Sequence, residues 1–208
     1  MNARIQAAAS LVGPCEIFAD IGCDHGYLSR TALLLGRCKT AYACDVAPKP
    51  LQKARELLQG FSNAEFYLSD GFKGLPKMPS EAAVCGMGGR EIIRIIDGAV
   101  SQGFYPALVL QPQNYAAGLR AFLCKSGYRI TGDLVIFERG RYYDIIRAER
   151  GEGSLEPVEL AWGAFCKTKS PLLLQRLLYE KAKIQGYSQT EQNHAKLKLI
   201  EEALKWQL

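Results

Sequence analysis

The stretch ADIGCDHGYL, residues 19–28, joins an apolar run to a helical pattern through a loop holding two glycines and three reactive side chains. Upstream, Glu16–Ile21 reads as a buried strand. Downstream, Tyr27–Leu35 reads as a helix closed by Gly36. Between them lies Asp20-x-Gly22-x-x-x-Gly26. Glycines at a strand-to-helix turn let the backbone approach a bulky ligand. Cys23, Asp24 and His25 in a row raise three options: a metal site, a thiol centre, or a loop whose backbone matters more than its side chains.

The pattern repeats outward from this stretch. Thr40–Cys44, Glu65–Leu68, Ala82–Cys85 and Ala107–Leu110 are short apolar runs that read as strands. Helical patterns separate most of them: Pro48 and Pro50 open LQKARELLQG, REIIRIIDGAV follows the fourth run, and Ala116–Leu123 follows the fifth. Residues 3–13 form a further short helix. Strand and helix alternating over residues 15–125 predict a parallel sheet with helices on both faces, an α/β Rossmann-like fold. Tyr128–Phe137 and Tyr142–Ala148, joined by the turn-like ERGR, predict an antiparallel edge. After Arg150 the character changes. GEGSLEP reads as a linker, and Pro157–Tyr187 and Ser188–Leu208 read as two helical stretches that pack as an antiparallel pair, neither with an independent core. The expected organisation is a domain over residues 1–150 and a small C-terminal helical hairpin, coiled-coil-like, over residues 151–208.

Bulk properties narrow the function. The chain has 208 residues, enough for one well-buried domain and an appendage but not for two full domains. No apolar run nears the ~20 residues that span a bilayer. The N-terminal stretch MNARIQAAASLV lacks the long apolar core of a signal peptide, so a cytoplasmic protein without membrane association is expected. Seven scattered cysteines with no C-x-x-C pair fit a reduced compartment. With only His25 and His194, no histidine-rich metal centre is expected. A net charge of +5 leans mildly toward anionic partners.

In a doubly wound sheet, ligands sit beyond the carboxyl ends of the strands. The loops there are GCDHG, DVAPKP, SDGF, GMGG and QPQN. A nicotinamide-dinucleotide loop would read G-x-G-x-x-G. This one places an acid two residues before its first glycine and lengthens the glycine spacing, as expected of a loop for S-adenosylmethionine. That molecule carries an ammonium and a sulfonium and no pyrophosphate, so an acidic loop suits it. Asp45, with Val46 beside it, ends the second strand, where a carboxylate can accept from both ribose hydroxyls. Asp70-Gly71 can reach an adenine amine. Asp20 as a helix cap, and Asp45 and Asp70 as turn residues, are the bland readings. Their succession at three strand ends argues against these. Gly86-Met87-Gly88-Gly89 is nearly bare of side chains and allows a planar base or a cofactor methyl to approach the backbone. Gln111 and Asn114 offer amide groups suited to a base edge.

ADIGCDHGYL, SDGF, GMGG, LVLQPQN with LRAFL, and GYRI with YYDIIRAE, taken together and in this order, resemble the bacterial tRNA (adenine-22-N1)-methyltransferase family. The resemblance covers about residues 3–150 and implies a Rossmann-like domain followed by a helical C-terminal region. It implies Asp20, Gly22, Cys23, Asp24, His25 and Gly26 around the methionine end of the cofactor. Asp45 and Val46 then belong to the ribose, and Asp70 and Gly71 to the adenine. Gly86 and Met87 line the methyl-transfer face. Gly88, Gly89, Arg90, Gln111 and Arg4 fall to the substrate, and His25 and Asn114 are the candidate catalytic groups. The sequence departs from the family where Gln113 separates Pro112 from Asn114. The expected partner is tRNA, held through Arg4, Arg30, Lys49 and Arg90 near the rim and Lys167, Lys169, Lys181, Lys183, Lys196 and Lys198 in the tail. The oligomeric state is left open between monomer and weak dimer. Competing readings are a methyltransferase of another RNA, a protein or a small molecule, and a non-catalytic binder of the same cofactor.

Overall fold

Strand β1 (Cys15–Ile21) lies at the centre of the sheet because both of its faces are apolar: Ile17, Ala19 and Ile21 face one helical layer, and Phe18 faces the other. The computed structural model describes residues 2–187 and 190–208. β1 pairs in parallel with β2 (Cys38–Asp45) on one side and β4 (Glu81–Met87) on the other. β3 (Ala64–Leu68) extends the sheet beyond β2, and β5 (Ala107–Pro112) extends it beyond β4. β7 (Arg141–Arg150) and β6 (Tyr128–Glu138) close it antiparallel, giving the order β3-β2-β1-β4-β5-β7-β6. The strand order reverses at β1, so the crevice between the ends of β1 and β4 is the topological switch point.

Helices α4 (Gly89–Val100) and α5 (Ala116–Lys125) cover one face through Ile92, Ile95, Ile96, Leu119 and Leu123. Helices α1 (Ala3–Leu11) and α2 (Tyr27–Leu34) cover the other through Ala8, Ala9, Leu28 and Ala32. α3 (Pro48–Leu57) packs beside them on Ala43. The fold class is the expected one. α1 is pinned at both ends: Glu138 accepts from the Ala3 amide at 2.8 Å and from Arg4 Nε at 2.8 Å, and Arg147 donates to the Leu11 carbonyl.

The tail departs from expectation in its helix count. Pro157–Tyr187 is not one helical stretch but two helices, α6 (Pro157–Trp162) and α7 (Pro171–Gln185), followed by α8 (Glu191–Gln207). Of the second expected stretch, Ser188 and Gln189 lie outside the described residues. α6 ends at Gly163 because the next turn is held elsewhere: the Ala164 amide donates to Asp133 Oδ2 at 2.8 Å. α7 and α8 run antiparallel, tied by Lys181–Glu201 and Lys196–Glu180. Val158, Trp162, Leu177, Ile200 and Ala203 are buried together, with Val135 of β6 against them.

The joint between tail and sheet is ionic and buried. Arg120 of α5 donates to Asp133 at 2.7 and 2.9 Å and to Asp144 at 2.7 Å, and to the Leu160 carbonyl at 3.1 Å. Arg176 of α7 donates to both oxygens of Asp144 at 2.9 and 3.1 Å. Burial pushes the Asp144 carboxyl up, but the two guanidinium groups outweigh it and hold the group at about 2. Two arginines against two aspartates leave no net buried charge.

Candidate active site

β1 ends in a turn that only glycine tolerates. Gly22 has φ +73°, and its amide and that of Cys23 donate to the Cys44 carbonyl at 2.8 and 2.9 Å. A Cβ on Gly22 would lie 2.0 Å from Met87 Cε, so the absence of a side chain lets the first and fourth loops touch. β4 ends differently. The β4–β5 register shifts between Cys85 and Met87, with Gly86 at φ +78°. A bulge at that point turns the chain beside the crevice. A Cβ on Gly86 would meet nothing within 4 Å.

These ends enclose a cavity of about 780 Å³, within the range of small-molecule sites. From the first loop it is lined by Asp20, Gly22, Cys23, Asp24 and His25; from the second by Asp45 and Val46; from the third by Asp70 and Gly71. Gly86, Met87 and Gln111 come from the β4 and β5 ends, and Arg4 from α1. Gly26, Gly88, Gly89, Arg90 and Asn114 stand outside the lining. Gly26 begins α2, where a Cβ would press on Ala54 at 3.0 Å. Asn114 Oδ1 accepts from the Gly89 amide at 3.2 Å, so the fifth loop braces the glycine loop from behind. The Arg90 guanidinium lies 4.7 Å from the centre of the Tyr115 ring.

The cavity is acidic. Asp20 is buried, and its Oδ2 accepts from the Ser29 amide at 3.1 Å and from Ser29 Oγ at 2.9 Å. Burial pushes its carboxyl up to about 6. The Ser29 hydrogen bonds oppose this, and the charges of Asp45 and Asp24 add to it. Asp45 accepts from the amides of Asp24 at 3.3 Å and Ala47 at 3.0 Å. Asp70 is held below the usual carboxylate range by hydrogen bonds from Arg94 at 2.9 Å and Lys73 at 3.1 Å.

His25 is engaged on both nitrogens. Nδ1 lies 3.2 Å from Asp24 Oδ2, and Lys53 Nζ lies 2.8 Å from Nε2. An ammonium has only donors, so Nε2 accepts and the Nδ1 proton faces Asp24. Burial pushes the Cys23 thiol up, which disfavours a thiolate nucleophile.

Four polar lining groups lie outside the rim loops that the sequence singles out: Asn2, Glu91, Arg94 and Arg139. Arg139 sits at the turn between β6 and β7 with φ +50°. The ERGR turn is visible in the sequence, but the cavity reached by its tip is not. Arg4 is oriented by Glu138 and lies 4.7 Å from the centre of the Tyr143 ring, with Nη1 3.5 Å from Gln111 Oε1.

The model of the family described as methyltransferase domain matches residues 1–146. The chain belongs to this family. Within it, a Mycoplasma pneumoniae protein provisionally named a tRNA methyltransferase is 34% identical over 155 residues, 72% of each chain. The tRNA (adenine(22)-N(1))-methyltransferase of Bacillus subtilis is 28% identical over 217 residues, covering 95% of this chain and 91% of its own. Among solved structures, Sp1610 of Streptococcus pneumoniae in complex with S-adenosyl-L-methionine superposes with a TM-score of 0.89 at 28% identity, covering 98% of this chain and 100% of that one. The family resemblance carried by the sequence motifs therefore extends through the methyltransferase domain and into the tail.

Proposed function

We propose that this chain transfers a methyl group from S-adenosylmethionine to N1 of an adenine in tRNA, at position 22. The observation that carries the reading is the acidic cavity at the switch point, with the bare Gly86 face on one side and Arg4 and Arg139 on another. The residues present suit the cofactor. Carboxylates at three successive strand ends match a ligand with cationic groups and ribose hydroxyls. When bound, the cofactor supplies an electrophilic methyl on sulfur.

This chain's residues do the rest by placement. Asp45, oriented by two backbone amides, presents its carboxylate to the ribose, with Val46 beside it. Asp20, Asp24 and the Gly22 turn surround the methionine end, and Asp70 and Gly71 border the adenine. Gly86 leaves room for the target base, and Asn114 fixes the path of the glycine loop behind it. The adenine must leave its stack so that its in-plane N1 lone pair can meet the methyl. As the N1–carbon bond forms, the carbon–sulfur bond breaks and positive charge passes to the base. Aligning the two reactants is the main contribution, on the order of 7–11 kcal/mol at best. With Nε2 of His25 already accepting from Lys53, His25 orients Asp24 and the loop rather than taking a proton.

Residues 1–150 form the catalytic part and residues 151–208 a helical appendage for RNA. Several tail lysines already serve the protein itself: Lys167 pairs with Glu156 and Glu159, Lys181 with Glu201, and Lys196 with Glu180. Lys183 and Lys198 have no ion pair among the described residues and remain the better phosphate contacts. No helix of the described residues is long and apolar enough to cross a membrane, and the proposed substrate places the protein in the cytoplasm.

The test is mass-spectrometric mapping of unmodified tRNA after incubation with purified protein and labelled cofactor. The expected product is one N1-methyladenosine per tRNA. Label confined to protein or small molecules would overturn the reading.

A further inference from the structure

The β6–β7 hairpin is longer than the sheet it completes. Its pairing with β5 ends at Leu110↔Ile146, while its internal pairing continues to Glu138↔Arg141. Since β5 stops at Pro112, the hairpin projects about 10 Å past the edge where the cavity opens. Successive side chains on this arm face opposite ways. Tyr143 turns toward Arg4 and α1, while Tyr142 turns toward the tail.

On the tail side, three rings form a ladder. Phe137 and Tyr142, register partners, have centroids 4.8 Å apart, and Tyr142 and Tyr179 of α7 have centroids 6.0 Å apart. Phe137 is 50% exposed and Tyr179 53% exposed, so the ladder is not core. Cations stand at both ends. Arg139 and Arg141 flank the hairpin turn, and Lys183 lies one helical turn beyond Tyr179. None of the three has an ion pair among the described residues, whereas Glu138 is spent on Arg4 and Glu180 on Lys196. Arg139, two residues beyond Phe137, also lines the cavity, so the cationic tip of the arm reaches the rim.

We propose that Phe137, Tyr142 and Tyr179 form a stacking platform for nucleotides neighbouring the target adenine, with Arg139, Arg141 and Lys183 contacting their phosphates. The proposal rests on the reading of an RNA substrate. Aromatic faces interleaved with basic groups are the chemistry of unpaired RNA, because every base has a π-face. The ladder suits a base displaced beside the target when its stack opens.

The test compares full-length Tyr179→Phe, Tyr179→Leu and Phe137→Ala with the parent. tRNA affinity is read by fluorescence anisotropy, cofactor affinity by calorimetry, and association by sedimentation velocity. Tyr179→Phe should bind tRNA as the parent does. Tyr179→Leu, which keeps apolar bulk but no ring, and Phe137→Ala should each weaken tRNA binding about ten-fold. Both should raise KM for tRNA more than they lower kcat, with cofactor affinity unchanged. Leucine binding tRNA as well as tyrosine, in a parent that methylates tRNA, overturns the platform alone. So does a shift only in self-association, which would mark the ladder as a seat for a second copy. A parent inert toward tRNA overturns the functional reading and the platform together.

Discussion

Replacing Asp20 by Asn should make the cofactor-free protein more stable and a poorer enzyme. Asp20 is buried at the end of β1, and its carboxyl is pushed from an ordinary 3.8 up to about 6, chiefly by burial. A raised carboxyl means that the folded state holds a proton more tightly than the unfolded chain. Stability therefore falls as pH rises from about 4 through 6, and above 6 the full penalty is present. The interval corresponds to about 3 kcal/mol. Asparagine keeps an oxygen to accept from the Ser29 amide and hydroxyl but removes the charge. Its new amide donors offset part of the gain, which leaves about 1–2 kcal/mol. For a chain of this size the gain is a rise in Tm of about 3–6 °C. Thermal unfolding followed by circular dichroism at pH 7.5, 6, 5 and 4 measures it. The variant's advantage should be widest at pH 7.5, shrink as pH falls through 6 and reverse by pH 4, where only the cost of the new amide donors remains, while calorimetry shows S-adenosylmethionine affinity reduced by about ten-fold or more. A gap independent of pH, or a variant less stable than the parent at pH 7.5, would refute the reasoning.

Arg120→Met leaves Asp133 and Asp144 buried without their main partner and should cost about 3–5 kcal/mol in urea unfolding. Because the paired Asp144 carboxyl lies near 2, the parent should lose that stabilisation only as pH falls from about 4 through 2, and acid unfolding of an Asp144→Asn variant should lack this component. Gly22→Ala places a Cβ 2.0 Å from Met87 Cε on a left-handed backbone, so stability should fall by about 1–2 kcal/mol and cofactor affinity should drop in the same calorimetric titration. Asn114→Ala removes the acceptor for the Gly89 amide and should lower kcat about five-fold while leaving cofactor affinity unchanged, as steady-state kinetics would show.

The sheet was legible in the sequence because its signals are local. Ile17, Ala19 and Ile21 alternate with Phe18 in a run that is apolar on both faces, and a glycine or aspartate stands at the end of each of the first four strands. The same locality made Asp20, Asp45 and Asp70 visible as one rim. What escaped depends on contacts far apart in the chain. Arg4 was visible through the family resemblance, but the Glu138 carboxylate that orients it, 134 residues away, was not. Arg139 lines the cavity because a hairpin overshoots its neighbour, and strand overhang is set by pairing register, which no single stretch encodes. The break between α6 and α7 follows from Asp133 capturing the Ala164 amide, an interaction invisible in the helical pattern around Pro157.

The buried quartet of Arg120, Asp133, Asp144 and Arg176 gives the molecule the character of a caliper. Its fixed jaw is the sheet that holds the cavity, and the other jaw is α7, riveted to β7 through Asp144. A hinge would let the tail follow whatever RNA it met. On the proposed function, a rivet would instead hold the span from Tyr179 to Gly86 nearly constant, so a folded RNA would be accepted or refused by whether its own dimensions fit that span.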